Sequence, residues 1–207
     1  NLPANGQMTK GGPTELALNS KFESHGARFE YPVNTDKKQV AGMAFSGQMM
    51  GCVAVDRDGK ALRPAIIWAD QRSRKQEKAI REQIEEQEFY RITGHRISAS
   101  YSIEKLMWIR DHEPEIYRNT YKMLQPKDYV IRRLTGAFVT DCTDASGTNC
   151  LDLNRLEWSW KILKLTGIDQ EKLPDVYPST HVAGELTASL AEECGLASGT
   201  PVVIGGG

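Results

Sequence analysis

The sequence contains no GxxxxGK phosphate loop, no GxGxxG dinucleotide turn, no CxxC pair and no two histidines at metal-ligand spacing. These absences remove the motif routes to a P-loop nucleotide site, a Rossmann cofactor site, a redox dithiol and a zinc centre. No window approaches the roughly 18 consecutive apolar residues of a membrane span, and the opening NLPANGQMTKGGP lacks the apolar core of a signal peptide. Neither sign of charge is in excess. Twenty-six Lys and Arg against 27 Asp and Glu leave a net charge of -1, with no cationic cluster for nucleic acid or an anionic membrane. The expectation is a cytoplasmic protein whose partner is neither nucleic acid nor membrane.

The chain does have enough material for a core, with 207 residues of which 40% are hydrophobic. Its four cysteines, Cys52, Cys142, Cys150 and Cys194, are scattered and read as reduced thiols inside that core. Residues 1–38 are rich in Gly, Asn, Lys and Ser, with LALNSKF and ARFEYPV as short strands or a helical turn. From Gln39 the apolar runs VAGMAFS and CVAVD predict two strands joined at GQMMG, with a third strand over Pro64–Trp68.

Ser73 three residues before Gln76 predicts a capping box and a helix running to about Tyr90. SIEKLMWIRDH predicts a second helix ended near Pro114, and a third begins at Pro126 and stops at Gly136. TDCTDASGTN reads as a polar turn entering a strand at CLDL, followed by a helix over Leu156–Leu165 closed by Gly167. In LTASLAEEC, Thr187 is the expected cap, Leu186 and Ala191 a hydrophobic staple and Gly195 the stop; PVVIGGG follows as a buried strand. Strands interleaved with helices indicate an α/β domain.

Ligands on open α/β sheets bind outside strand ends, and three segments place functional residue types there. In Ser46–Gly51, the glycines allow close backbone approach and Gln48 offers a donor and an acceptor; the alternative is a tight hairpin with core methionines. In Trp68-Ala69-Asp70-Gln71-Arg72, an indole face beside an acid and a base suits a polyol. The alternative there is an Asp70–Arg72 ion pair that anchors the turn. Gly205, Gly206 and Gly207 follow a buried strand, where a backbone can pass close to phosphate or substrate. His25, His95, His112 and His181 have no nucleophile motif beside them and default to surface or core filling.

Ser100 to His112, SYSIEKLMWIRDH, resembles the first signature of the FGGY carbohydrate kinases. The surrounding order, AFSGQMMG, IIWADQRS, RITGHR, HEPEIYR, LQPKDYVIRRLTG, TDASGTNCLDL and GTPVVIGGG, is also that family's. The resemblance covers residues 39–207, is closest to the xylulose kinase branch, and leaves 1–38 poorly matched. It implies a ribonuclease H-like lobe of actin/hexokinase type, with a mixed sheet and flanking helices. It also implies ATP-dependent transfer of a γ-phosphoryl group, with Mg²⁺, to a hydroxyl of a ketopentose such as D-xylulose. Gluconate or another polyol is the alternative acceptor, and a non-catalytic sugar-binding module the alternative class.

The resemblance places the sugar against Gln48, Met49 and Met50, with Trp68, Asp70 and Arg72 on the corresponding turn. Xylulose kinases carry Met-His and glycerol kinases Arg-Glu where this chain has Met49-Met50, and Ser100 replaces a substrate-contacting Tyr of glycerol kinases. Lys105 and Trp108 are expected to pack. The family's Asp-x-Gly-Thr turn does not precede Gln39, and its catalytic Asp is expected just after Gly207. The chain is therefore read as an incomplete sugar-binding lobe without the nucleotide lobe, with no catalytic residue and no metal ligand of its own, inactive alone and a candidate homodimer.

Overall fold

A computed structural model describes Leu16–Ala17, Arg28–Phe29, Asp36 and residues 39–207. In chain order the strands are β1 (Leu16–Ala17), β2 (Arg28–Phe29), β3 (Met43–Ser46), β4 (Val53–Val55), β5 (Lys122–Leu124), β6 (Val139–Asp141), β7 (Leu151–Asp152), β8 (Glu157–Trp158), β9 (Asp175–Tyr177), β10 (Val182–Glu185) and β11 (Pro201–Gly206). The helices are α1 (Arg74–Arg81), α2 (Glu86–Thr93), α3 (Ser102–His112), α4 (Pro114–Asn119), α5 (Pro126–Thr135), α6 (Cys142–Ser146), α7 (Trp160–Thr166) and α8 (Ala188–Cys194).

The PVVIGGG strand forms as expected and lies at the centre of a mixed sheet, antiparallel to β10 and parallel to β3. β6 and β9 pair in parallel, and β4 pairs with β5 antiparallel. VAGMAFS and CVAVD therefore supply strands that do not form a hairpin. The chain between them crosses from the β3 sheet to the β4 sheet, because Gly47 and Gly51 press against α5. A Cβ at Gly47 would lie 2.8 Å from Lys127 Cβ, and one at Gly51 2.8 Å from Pro126 Cδ. The third expected strand is reduced to a bridge between Ile66 and Cys52.

The single helix expected over 73–90 is two, α1 and α2. The capping box is absent because tertiary partners take both side chains: Ser73 Oγ donates to the Ala99 carbonyl at 3.0 Å and Gln76 Nε2 to Asp111 at 2.9 Å. A capping box does form at α5, between Gln125 and Asp128. Pro114 opens α4 rather than only ending α3. TDCTDASGTN is not a turn but β6 running into α6, which is capped by Asp141. The helix expected from Leu156 begins later, at Trp160, because Glu157–Trp158 pair with β7. Gly136, Gly167 and Gly195 end their helices in the left-handed region, as expected, while Thr187 makes no side-chain cap bond.

α3 is buried on nearly every side, and its Ile103, Leu106 and Ile109 join Ile80, Phe89, Met123 and Ile162 in the main core. A second cluster, with Leu134, Leu186, Ala191 and Val202, fixes α5 and α8 on the β11 sheet. The four cysteines are free thiols, three of them buried, and burial pushes the Cys52 thiol up to about 12.

Candidate functional site

The loop after β3 carries an exposed Gln48, then Met49 and Met50, the last at φ 61. The Gly51 N–H donates to Gln125 Oε1 at 3.0 Å and its carbonyl accepts from Ser102 Oγ at 2.7 Å, so the loop is tied to the starts of α5 and α3. Met49 reaches the end of β11: a Cβ at Gly207 would lie 2.6 Å from Met49 Cγ and 2.6 Å from Asp144 Oδ1. Two of the three sequence candidates, the GQMMG loop and the glycine run, thus meet at the carboxyl ends of the parallel strands β3 and β11.

The glycines serve this approach directly. Gly205 has φ 74 at a bulge in the β11–β3 register, and a Cβ on it would fall 1.8 Å from the Phe45 carbonyl oxygen. The Gly205 amide donates to Ser179 O at 2.9 Å and the Gly207 amide to Thr143 Oγ1 at 2.8 Å, so both are engaged by protein and not offered to a phosphate.

The third candidate lies on α3. Trp68 is 50% exposed. Asp70 accepts the Arg72 amide at 2.9 Å and its guanidinium at 2.7–3.0 Å, and Arg72 lies 4.8 Å over the Trp108 ring. The Arg72 hydrogen bonds hold the Asp70 carboxyl below its usual range. Gln71 Nε2 donates to Ser100 Oγ at 3.0 Å. Lys105 Nζ donates to the carbonyls of Ala99, Ser100 and Tyr101, and burial pulls its pKa down to about 8. Lys105 and Trp108 therefore do pack, Lys105 against the carbonyls of residues 99–101 and Trp108 against Arg72.

Beneath the Met49–Gly207 contact is a group of charges that sequence reasoning missed. Lys127 Nζ lies 3.0 Å from Asp128, 3.1 Å from Asp141 and 3.2 Å from Asp144, with all four side chains fully buried. Asp141 also accepts from Thr143 Oγ1 at 2.6 Å and Ser179 Oγ at 2.7 Å. Burial outweighs Lys127 in pushing Asp128 up to about 6 and Asp144 up to about 7. For Asp141, hydrogen bonds from Thr143 and Ser179 overcome burial and keep its carboxyl low. The available signal was a single carboxylate just after an apolar stretch in each of VTD and LQPKDY.

A divalent ion does not fit this cluster, because the ammonium already stands where the three carboxylates converge. Among the described residues no other group of three His, Cys, Asp or Glu side chains could hold a metal. Two surface clefts of about 640 and 530 Å³, one by Arg81, Tyr90 and Arg96 and the other by Trp158, Trp160 and Tyr177, contain none of the candidate residues.

The profile of the FGGY family of carbohydrate kinases, N-terminal domain, matches residues 22–207. The chain belongs to this family. Its relatives include the xylulose kinase of Escherichia coli (strain K12), 35% identical over 170 residues, covering 82% of this chain and 34% of the relative. They also include the gluconokinase of Bacillus subtilis (strain 168), 31% identical over 169 residues, with 82% and 33% covered. Among solved structures, the xylulose kinase from Rhodospirillum rubrum superposes with a TM-score of 0.76 at 29% identity, covering 81% of this chain and 34% of that one. The gluconate kinase from Lactobacillus acidophilus gives 0.74 at 30%, with 80% and 34% covered. This FGGY domain spans about a third of the length of the curated relatives it matches. Its fold is the ribonuclease H-like, actin/hexokinase type that the signature implies, with the signature itself folded as α3.

Proposed function

We propose that this domain forms the sugar side of a kinase site that transfers the γ-phosphoryl group of ATP to a hydroxyl of a ketopentose such as D-xylulose. The supporting observation is the meeting of Met49 with Gly207 at the carboxyl edge of the parallel strands, on a chain 31–37% identical to several xylulose kinases. Met49 offers an apolar face to a sugar's C–H surface, and Trp68 an exposed indole. Asp70, locked by Arg72 and held ionised, acts as a hydroxyl acceptor rather than as a base. Sugar kinases of this family use ATP and Mg²⁺. In this reading the nucleotide and the ion are held by residues other than those described, because Lys127 already stands among Asp128, Asp141 and Asp144 and the amides of Gly205 and Gly207 are engaged. The likeness to gluconate kinases supports gluconate as the second acceptor. Among the described residues no helix is long and apolar enough to cross a membrane, in keeping with a cytoplasmic protein and a small-molecule partner.

The test is thermal denaturation of the protein with D-xylulose, D-gluconate and glycerol. A sugar at about 100 times its dissociation constant adds roughly 2.7 kcal/mol of stability. The expected result is a larger rise with D-xylulose than with D-gluconate and none with glycerol. No rise with either of the first two sinks the reading.

A further inference from the structure

Met49 and Met50 offer a polyol two thioethers and no hydrogen-bond donor. Asp144, which lies beneath Met49 and Gly207, is fully buried, and the Thr143 hydroxyl is taken by the Gly207 amide. At the end of the helix that carries Asp144, the fold places a polar pair that nothing above uses. A Cβ at Gly147 would lie 3.1 Å from Met49 Cε, so Gly147 closes directly on that side chain. Ser146 precedes it at the end of α6, and its Oγ lies 2.8 Å from His95 Nε2.

His95 follows Gly94, which ends α2 at φ 72, and its amide donates to Thr93 Oγ1 at 3.2 Å. Its ring lies 5.1 Å from that of Tyr101. Tyr101 adjoins Ser100, which accepts from Gln71 in the Trp68–Arg72 segment. His95 and Ser146 thus bridge the two segments that the sugar reading needs, and His95, Ser146 and Tyr101 are all partly exposed. Burial holds the imidazole below its usual pKa, so near neutral pH one ring nitrogen donates and the other accepts. Nε2 is used by Ser146, while Nδ1 has no hydrogen-bond partner among the described residues.

We infer that His95 is a specificity-determining residue of the sugar site, with Nδ1 bonding a hydroxyl of a polyhydroxy ligand whose carbon face rests on Met49, and with Ser146 holding the ring. This rests on the sugar-site reading given under Proposed function. A site built to hydrogen-bond a hydroxyl loses far more from removal of its polar partner than from a change of apolar bulk.

The experiment measures D-xylulose and D-gluconate affinity by calorimetry for the wild type, His95→Leu, His95→Gln and Ser146→Ala, with the sugar-free melting temperature of each. His95→Leu should weaken binding about tenfold or more without a matching loss of melting temperature. His95→Gln, which keeps a donor and an acceptor, should stay within about threefold, and Ser146→Ala should fall between them. His95→Leu binding as tightly as the wild type overturns the inference and leaves the sugar reading intact. A wild type that binds neither sugar overturns both. If His95→Leu does not fold, Ser146→Ala decides, and unchanged affinity in that variant overturns the inference.

Discussion

Lys127 and Arg72 both stand within hydrogen-bonding distance of carboxylates, yet one is wholly buried among three of them and the other is partly exposed beside one. The Asp70–Arg72 pair matches charge for charge in solvent, where such pairs are worth about 0–1 kcal/mol. The Lys127 group does not match. Three acids face one ammonium in a medium that penalises every uncompensated charge, and burial raises Asp128 to about 6 and Asp144 to about 7. The exposed pair shapes a surface, whereas the buried group fixes where β6, α5, α6 and the end of β11 can sit.

The comparison breaks most forcefully at the cation. Lys127→Met should destabilise by about 3–5 kcal/mol, because it leaves buried carboxylates without their partner; urea denaturation at pH 7 reads this. A loss below about 1 kcal/mol would make the buried group no different from a surface pair. Gly205→Ala comes next, with a loss of about 1–3 kcal/mol from φ 74 alone and more from the approach to Phe45 O. It should lower melting temperature and D-xylulose affinity together.

Proton uptake gives a third measure. Asp128, Asp144 and Glu104 have folded pKa values of about 6, 7 and 8, each raised by burial. Between roughly pH 4 and 8 the folded chain holds protons that the unfolded chain has released, so raising pH favours unfolding. Stability should fall from pH 5 to pH 8, and Asp144→Asn should flatten part of that fall while costing little at pH 5. Melting curves at pH 5, 6.5 and 8 check it, and a rise across that range contradicts it. The smallest effect belongs to the exposed pair: Asp70→Asn should change stability by less than about 1 kcal/mol while weakening sugar affinity.

What the sequence showed plainly was local chemistry. Gly136, Gly167 and Gly195 were legible as helix stops because a left-handed residue is a requirement of the chain at that point, whatever packs around it. SIEKLMWIRDH was legible as α3, and its likeness to the FGGY signature carried the fold. Strand partners were not legible: β3 pairs with β11 across most of the described chain, and nothing near GQMMG encodes that. Ser73 and Gln76 misled for the same reason, since Ala99 and Asp111 outcompete a local cap. The candidate residues were found as types, but their grouping was not. Met49 with Gly207, and Lys127 with Asp128, Asp141 and Asp144, become neighbours only through the fold.

The central place of β11 also bears on how the chain is made. β3 leaves the ribosome with Met43 and Phe45, which pack into the β11 cluster, yet its parallel partner is residues 201–206. At cellular rates of synthesis that interval is on the order of ten seconds. Throughout it β3 lacks its β11 partner, although Leu134 and Ile131 of α5 are already made and can pack against Met43 and Phe45, and the α3 core can already close. The sheet that carries the candidate sugar site is thus the last part of the described chain to form, and a nascent chain stalled before Pro201 exposes an aggregation-prone edge.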